Sequence, residues 1–239
     1  AARWLGEVLV PAIVCLAVVV IAPYLCVGEV NVWASLAVLL AGWVVMGLVR
    51  DLQQRMRGVT SLGSALARLS PSYIGMLAAH SGFALTMVGA VFVTQFSAER
   101  DLRLEAGDAV ELNGYTFTLT DLTVVEGPNY AADRGVFEVK YNGELFTTLL
   151  PEKRRYVASG QIMTEAAIDA GFTRDLYIAM GEPLGDGAWS VRVQHKPLIR
   201  WIWLGALMIG LGGLTTALDK RYRRVSAARH LRGDEALAT

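Results

Sequence analysis

Residues 73–96 read YIGMLAAHSGFALTMVGAVFVTQF, an apolar run that contains one residue with an ionisable side chain at neutral pH, His80. The run is longer than the about 20 residues that a helix needs to cross the hydrocarbon core of a membrane. An imidazole at that depth is costly unless something binds it, and imidazole is a common axial ligand of haem iron. The run therefore predicts a membrane-spanning helix and makes a membrane haem site the first functional hypothesis. A hydrogen bond from His80 to a neighbouring helix is the alternative.

Helical spacing predicts which side chains accompany His80. Residues separated by three, four or seven positions share a helix face, which here carries Met76, Ala84, Met87 and, beside them, Phe83. Such a stripe could contact a planar apolar cofactor, with Ala84 and Gly82 allowing close approach. Plain packing against another helix explains the same pattern. Glycines recur in this run and in residues 199–218, where they could admit either a close helix neighbour or a broad cofactor.

Composition supports a membrane protein of several spans. Hydrophobic residues make up 54% of the 239 residues, charged residues 18%, and the mean hydropathy is +0.40, whereas about 25% charged residues is usual in soluble domains. Four apolar stretches approach the length of a span, at residues 8–27, 31–49, 73–96 and 199–218. The first exceeds the core of a signal peptide, so we expect it to be retained. Cys15 and Cys26 have no metal-type spacing and predict no disulfide framework.

Charge predicts the orientation of these spans. Four arginines follow the second span, and a tail rich in arginine follows the fourth, so both segments are expected on the cytoplasmic side. The segment between the third and fourth spans then lies outside, and residues 97–197 carry 16 acidic against 10 basic residues. Trp201 and Trp203 at the start of the fourth span fit an interfacial aromatic belt.

The external segment is predicted to be mainly β. Asn113-Gly114 and Asn142-Gly143 each separate two alternating runs, a pattern that favours a type I′ hairpin. Residues 188–194 alternate as a half-buried strand does. A small barrel or sandwich follows from this pattern. The predicted organisation is helices in residues 1–96, an external β domain in residues 97–198, and a fourth span with a basic tail in residues 199–239.

Other candidate side chains have plainer explanations. His195 lies near Arg192 and Arg200, and these cations could bind haem propionates, phospholipid or an acidic partner, or simply anchor the chain at the interface. Glu165 and Asp169 are four residues apart and are predicted to be surface charges of a helix that Thr164 caps. The sequence has no serine-hydrolase, zinc-protease, P-loop or dinucleotide-binding motif. No self-contained catalytic group is predicted.

Several longer motifs resemble one known family. They are GPNY at residues 127–130, MTEAAID at 163–169, TRDLY at 173–177 and, above all, GAWSVRVQHKPLIRWIWLGALMIGLGG at 187–213. In this order they are similar to the C-terminal part of CcmF, the cytochrome c-type biogenesis haem lyase family. The resemblance covers about residues 73–222. Before residue 73 it is mainly one of hydropathy.

The resemblance implies a role in attaching haem to apocytochrome c at the bacterial inner membrane, with residues 97–198 in the periplasm. It implies that His80 is an axial ligand of a structural b-type haem, whose second axial ligand lies outside this chain. It also implies the partners apocytochrome c, the haem chaperone CcmE, CcmH and CcmI, besides membrane lipid. It gives no role to His195. We expect no nucleic-acid partner and no catalysis by this chain alone.

Two other classes of function compete with this interpretation. A cofactor-free membrane scaffold, whose periplasmic β domain binds a protein partner, would need no haem at His80. A transporter subunit is disfavoured because the spans lack an aspartate or glutamate near mid-membrane.

Overall fold

The computed structural model describes residues 31–58, 63–64 and 69–219. Three long helices lie in these ranges: α1 (Val32–Met56), α2 (Pro71–Phe96) and α3 (Ile199–Ala217). Each is long and apolar enough to span a membrane. They confirm the second, third and fourth predicted spans. The first predicted span, at residues 8–27, lies outside the described residues.

Local side chains fix where α1 and α2 begin. The Asn31 carboxamide oxygen accepts hydrogen bonds from the backbone N–H groups of Trp33 and Ala34, at 3.0 and 3.1 Å. The Ser70 hydroxyl accepts one from the Tyr73 N–H at 3.2 Å, and Pro71 occupies the first helical position. Asparagine and serine are favoured caps, and proline loses no helical hydrogen bond at that position.

The described residues divide into two compact units, a helical unit that contains α1 and most of α2 and α3, and a β unit of residues 92–200. In the helical unit α2 and α3 meet at a glycine seam formed by Gly75, Gly82, Gly205 and Gly212. A Cβ atom added to Gly82 would lie 2.5 Å from the Gly205 carbonyl oxygen. Gly75 meets Gly212 in the same way, so the two helices run antiparallel. These four glycines therefore serve close helix packing.

Polar contacts tie the helix ends together. The Tyr73 hydroxyl donates to Asp51 of α1 at 2.7 Å, and the Arg55 guanidinium lies 4.1 Å from the centre of the Tyr73 ring. The Asp219 carboxylate, just after α3, accepts from the backbone N–H of Ser72 at 3.1 Å. A negative charge at a helix N-terminus is favourable because the first N–H groups lack helical partners.

The β unit is a sandwich of two antiparallel sheets. The strands are β1 (Ala98–Leu104), β2 (Ala109–Leu112), β3 (Tyr115–Glu126), β4 (Tyr130–Tyr141), β5 (Glu144–Leu149), β6 (Glu152–Tyr156), β7 (Ile162–Glu165), β8 (Ala167–Ala170), β9 (Arg174–Gly185) and β10 (Ala188–Pro197). One sheet has the strand order β1-β10-β9-β8, and the other β2-β3-β4-β6-β7, with β5 also pairing with β4.

Both predicted hairpins are confirmed. The β2–β3 turn has Asn113 and Gly114 at φ values of 51° and 78°, and the β4–β5 turn has Asn142 and Gly143 at 52° and 83°. Positive φ at both central residues defines the type I′ turn. Asparagine and glycine are the residues that adopt this conformation at least cost.

Alternating side chains of both sheets fill the core. Phe117 and Leu119 of β3 and Phe137 and Val139 of β4 face their counterparts in the other sheet, and all are fully buried. The other sheet contributes Leu176, Ile178, Val191 and Val193. Successive residues of a strand point to opposite faces, so every second residue enters the core.

The predicted helix around Glu165 and Asp169 is wrong. Glu165 ends β7 and Asp169 lies in β8. The Thr164 hydroxyl does not cap a helix, since it donates to the Met180 carbonyl of β9 at 3.2 Å. Short segments are decided by the strands beside them more than by local spacing, because cross-strand pairing supplies the hydrogen bonds that a helix would otherwise make.

Candidate functional site

His80 lies in the middle of α2 with its side chain exposed. Its ring Nδ1 is 2.9 Å from the backbone carbonyl oxygen of Met76, one helical turn earlier. A carbonyl oxygen only accepts, so Nδ1 carries the proton and donates it. The lone pair of the neutral ring then resides on Nε2. A metal-binding imidazole usually has this arrangement, because a backbone acceptor on one ring nitrogen fixes the orientation of the other.

His80 faces away from the glycine seam. At about 100° per helical residue, it lies roughly 150° around α2 from Gly75 and Gly82. The seam side of α2 is occupied by α3. Phe83 is 55% exposed, on the same side as His80. Helix α3 therefore leaves the imidazole and its apolar neighbours uncovered.

The predicted stripe around His80 is only partly available to a ligand. Gly82 was expected to let a cofactor approach, and this is wrong because its backbone touches α3. Ala84 is 3% exposed and thus already covered within the protein. Met76 and Met87 are half-buried. The accessible part of the stripe is His80 with Phe83 and the edges of the two methionines.

The cations near His195 do not form a cluster. Arg192 lies three residues before His195 on β10, hence on the opposite face of the strand, and pairs with Asp101 at 2.7 Å. Arg200 pairs with Asp175 at 3.2 Å. Carboxylates therefore neutralise both arginines, and the structure does not bring His195, Arg192 and Arg200 together as a single anion site.

His195 instead joins the two sheets at one end of the sandwich. It follows the buried residues Val191 and Val193 on the inner face of β10, and the Asn113 amide donates to its Nδ1 at 3.1 Å. Its ring centre is 6.0 Å from that of Tyr115. Burial lowers the pKa of His195, and the positive charge of Arg174 lowers it further. The neutral imidazole is therefore the form that the fold stabilises.

A titration of His195 tests this assignment. We expect its imidazole, followed by NMR, to titrate below the usual pKa of about 6.5. Because the folded-state pKa of His195 is lowered, the contribution of its neutral ring to the stability of the folded protein is present above the unfolded-state pKa. That contribution is lost as pH falls through the folded-state pKa. Protonation also removes the acceptor that Asn113 uses. A titration midpoint of His195 at or above the usual histidine pKa of about 6.5 would contradict the assignment.

Some relevant groups gave no signal in the sequence. Met76 lies four residues before His80, so the sequence places the two side by side on the helix. The sequence did not show that the Met76 carbonyl accepts a hydrogen bond from the His80 ring. Asn113 was assigned only to a turn, yet its amide also holds His195. Within residues 31–58, 63–64 and 69–219, no three His, Cys, Asp or Glu side chains form a metal-binding group. In this part of the chain His80 therefore belongs to no group of three such side chains.

Comparisons with known proteins match both the β unit and most of the chain. The family model described as the CcmF C-terminal beta-sandwich matches residues 95–197, which cover the β unit almost completely. The cytochrome c-type biogenesis protein CcmF of Pseudomonas aeruginosa is 50% identical over 222 residues, 92% of this chain and 34% of that protein. The chain belongs to the CcmF family. The Escherichia coli CcmF is 42% identical over 202 residues, 84% of this chain and 30% of that protein.

A solved CcmF structure has the same fold. The structure named cytochrome c heme lyase CcmF aligns with 88% of this chain and 34% of its own length, at a TM-score of 0.69 and 18% identity. The chain spans about a third of the length of the CcmF relatives that it matches. The aligned part of this chain includes its apolar helices and its β-sandwich. The predicted fold class, membrane helices with a mainly-β domain, is therefore confirmed.

Proposed function

We propose that this chain acts in cytochrome c maturation, as the C-terminal part of a membrane haem lyase, and that His80 is one axial ligand of a b-type haem. The observation that carries the proposal is the hydrogen bond from Nδ1 of His80 to the Met76 carbonyl. It leaves the Nε2 lone pair on an exposed face of α2. The names of the CcmF relatives, which refer to cytochrome c biogenesis, support the wider role.

The residues around His80 fit a haem better than a water-filled site. An apolar face with one imidazole suits a macrocycle whose surface is largely apolar. Phe83 is more than half exposed beside the ring, and a ligand would bury it. Helix α3 occupies the seam side of α2, and we propose that the second axial ligand comes from outside this chain.

The protein groups have distinct tasks in this proposal. The Met76 carbonyl holds the imidazole in one tautomer and makes Nε2 a stronger donor to a metal. The side chains of Phe83 and Met87 exclude water from the ligand nitrogen. When bound, the haem supplies one-electron chemistry, which can keep the iron of the haem being attached in the ferrous state.

We further propose the topology and partners. The helices lie in the bacterial inner membrane and the β unit lies in the periplasm, where its net negative charge agrees with the expected distribution of basic residues. Apocytochrome c, CcmE, CcmH and CcmI are the proposed partners. We do not propose that this chain alone catalyses thioether formation.

Optical spectra test the ligand role of His80. The protein is purified from membranes together with its upstream region, and oxidised and dithionite-reduced spectra are compared for the wild type and His80→Gly. We expect a b-type spectrum that is lost or strongly weakened in the variant at an unchanged protein level. Added imidazole should restore part of it, since the smaller residue leaves space for the free ligand.

His195→Gln is the matched control, because it removes the other histidine within the described residues. Its spectrum should equal that of the wild type. An unchanged spectrum in His80→Gly would refute axial ligation by His80. Absence of haem from well-folded wild-type protein would favour a cofactor-free scaffold instead.

A further inference from the structure

One edge of strand β3 has no neighbouring strand over its second half. Pairing on the β2 side ends at Leu119. Its N–H donates to the Asp108 carbonyl at 2.9 Å, and its carbonyl accepts from the Gly107 N–H at 2.7 Å. Among the described residues, no strand pairs with residues 122–126 on that side. We call residues 122–126 the open edge.

The hydrogen bonds between β3 and β4 show which backbone groups point outward. The Gly127 N–H donates to the Tyr130 carbonyl at 2.8 Å, so these two residues form a hydrogen-bonded pair. Hydrogen-bonded and non-hydrogen-bonded pairs alternate along an antiparallel ladder. Val124 and Asp133 are opposite each other in the register and therefore form a non-hydrogen-bonded pair. The N–H and C=O of Val124, and those of Glu126, consequently point away from β4, to the open edge.

A cleft lies beside the open edge, between the two sheets. Leu122, Val124 and Asp133 line it from the face of β3 and β4 that also carries the buried Phe137. Trp189 of β10 lines it from the other sheet. Val124 is 75% exposed, so the opposite sheet does not cover it. The volume of the cleft, about 200 Å³, is below the about 300–1,000 Å³ of small-molecule sites, and therefore suits a single side chain.

The carboxylates at this site have no cationic partner. Asp133 is half-buried and Glu126 is exposed, and neither forms an ion pair with a described residue. The Asp121 carboxylate accepts from the backbone N–H of Leu122 at 2.8 Å, so it satisfies one outward group of the open edge. A half-buried carboxylate is stabilised when a cation pairs with it. A ligand could supply the positive charge that the site lacks.

Two cations close to Asp133 are engaged with other carboxylates. Arg134 follows Asp133 in the chain and donates to Glu152 at 2.7 Å. Lys153 is opposite Asp133 in the register between β4 and β6, but its ammonium group donates to Glu182 at 2.8 Å. Charge complementarity therefore favours a basic ligand.

We propose that the open edge binds an extended segment of a partner protein, which adds as a strand beside Val124 and places a lysine or arginine side chain in the cleft. The added strand lies two strand spacings, about 10 Å, from β4, a distance that a long basic side chain bridges to reach Asp133. Its backbone pairs with the outward groups of Val124 and Glu126, as in other strand-addition complexes. Trp189 covers the apolar stem of the basic side chain. The proposal is independent of haem at His80.

Binding of two peptides tests the site. The protein with its upstream region is titrated in detergent against fluorescein-labelled seven-residue peptides of alternating threonine and valine. One peptide has lysine at its centre, on the valine face, and the other has glutamate there. We expect the lysine peptide to bind at least about tenfold more tightly, the effect of one charge-assisted hydrogen bond. Equal affinities, or no binding of the lysine peptide at about 1 mM, would overturn the proposal.

Asp133→Asn tests the charge in the cleft. We expect this variant to bind the two peptides with nearly equal affinity, because the carboxylate that distinguishes them is gone. Glu138→Gln is the matched control, since Glu138 also lies on β4 without an ion pair to a described residue, but on the opposite face of the strand. It should keep the preference for lysine. A preference lost in both variants, or kept in both, would contradict the role of Asp133.

Val124→Pro tests the backbone pairing. Proline removes the outward N–H and projects its ring from the open edge, while no hydrogen bond to β4 is lost. We expect the lysine peptide to bind at least about tenfold more weakly, whereas Val124→Thr, which keeps the N–H, should bind it as the wild type does. Unchanged hydrogen exchange in β4 verifies that the sheet is intact. Wild-type affinity in Val124→Pro would refute strand addition.

Discussion

Gly82→Val is expected to disrupt the pairing of α2 and α3 and to lower the stability of the helical unit by about 3 kcal/mol, the upper range for overpacking. The first added carbon would lie 2.5 Å from the Gly205 carbonyl oxygen and 2.8 Å from Cβ of Met208. Neither atom is the end of a flexible side chain, so a helix must move. Thermal unfolding in detergent should show a markedly lower midpoint and a lower yield of folded protein.

Gly210→Val is the control for this change. Gly210 lies in α3, and nothing is within 4 Å of a Cβ atom placed on it. The substitution adds the same atoms to the same pair of helices without a collision. Its midpoint should stay close to that of the wild type. If both variants lowered the unfolding midpoint equally, valine would destabilise the helix that contains it and the collision at the seam would not be the cause.

Glu152→Gln is expected to destabilise the β unit by about 3 kcal/mol, because breaking a buried ion pair leaves the partner charges uncompensated. Glu152 is 5% exposed. Its two carboxylate oxygens accept from Arg134 at 2.7 Å and from Arg154 at 2.8 Å. Hydrogen exchange of the amides in β4 and β6, measured in the intact protein, should become faster.

The same site predicts a dependence on pH. Burial by itself would raise the pKa of Glu152, but the hydrogen bonds and charges of Arg154 and Arg134 outweigh it and lower the pKa. The stabilisation is therefore present above the unfolded-state pKa and is lost as pH falls through the lowered folded-state value. Protection of β4 and β6, corrected for the intrinsic exchange rate, should decline in that acidic range in the wild type and less so in Glu152→Gln.

Glu165→Gln provides the comparison. Glu165 also pairs with Arg154, at 3.4 Å, but its side chain is 43% exposed. Exposed ion pairs contribute about 0–1 kcal/mol, because water and salt screen them. The control should therefore leave exchange in β4 and β6 nearly unchanged. If Glu165→Gln reduced the exchange protection of β4 and β6 as much as Glu152→Gln does, the burial of Glu152 would not explain its effect.

The sequence by itself determined the spanning helices and the hairpins. Long apolar runs allow few alternatives to a helix in a membrane, since every backbone N–H and C=O must be satisfied within the segment. Asn113-Gly114 and Asn142-Gly143 determined their turns because positive φ at two successive residues is costly for most others. These features depend on neighbours in sequence alone. His80 was likewise conspicuous as an ionisable side chain in an apolar run.

Only the tertiary structure decided which groups meet. Spacing left the glycines open to a helix neighbour or a cofactor, and the close approach of α2 and α3 assigned four of them, Gly75, Gly82, Gly205 and Gly212, to the seam. The carboxylates in residues 164–169 have helical spacing, yet these residues form β7 and β8 because they pair with β6 and β9. The hydrogen bond between Asn113 and His195 joins residues 82 positions apart. Contacts of this kind depend on how strands and helices pack, and local sequence carries no record of the partner that packing will supply.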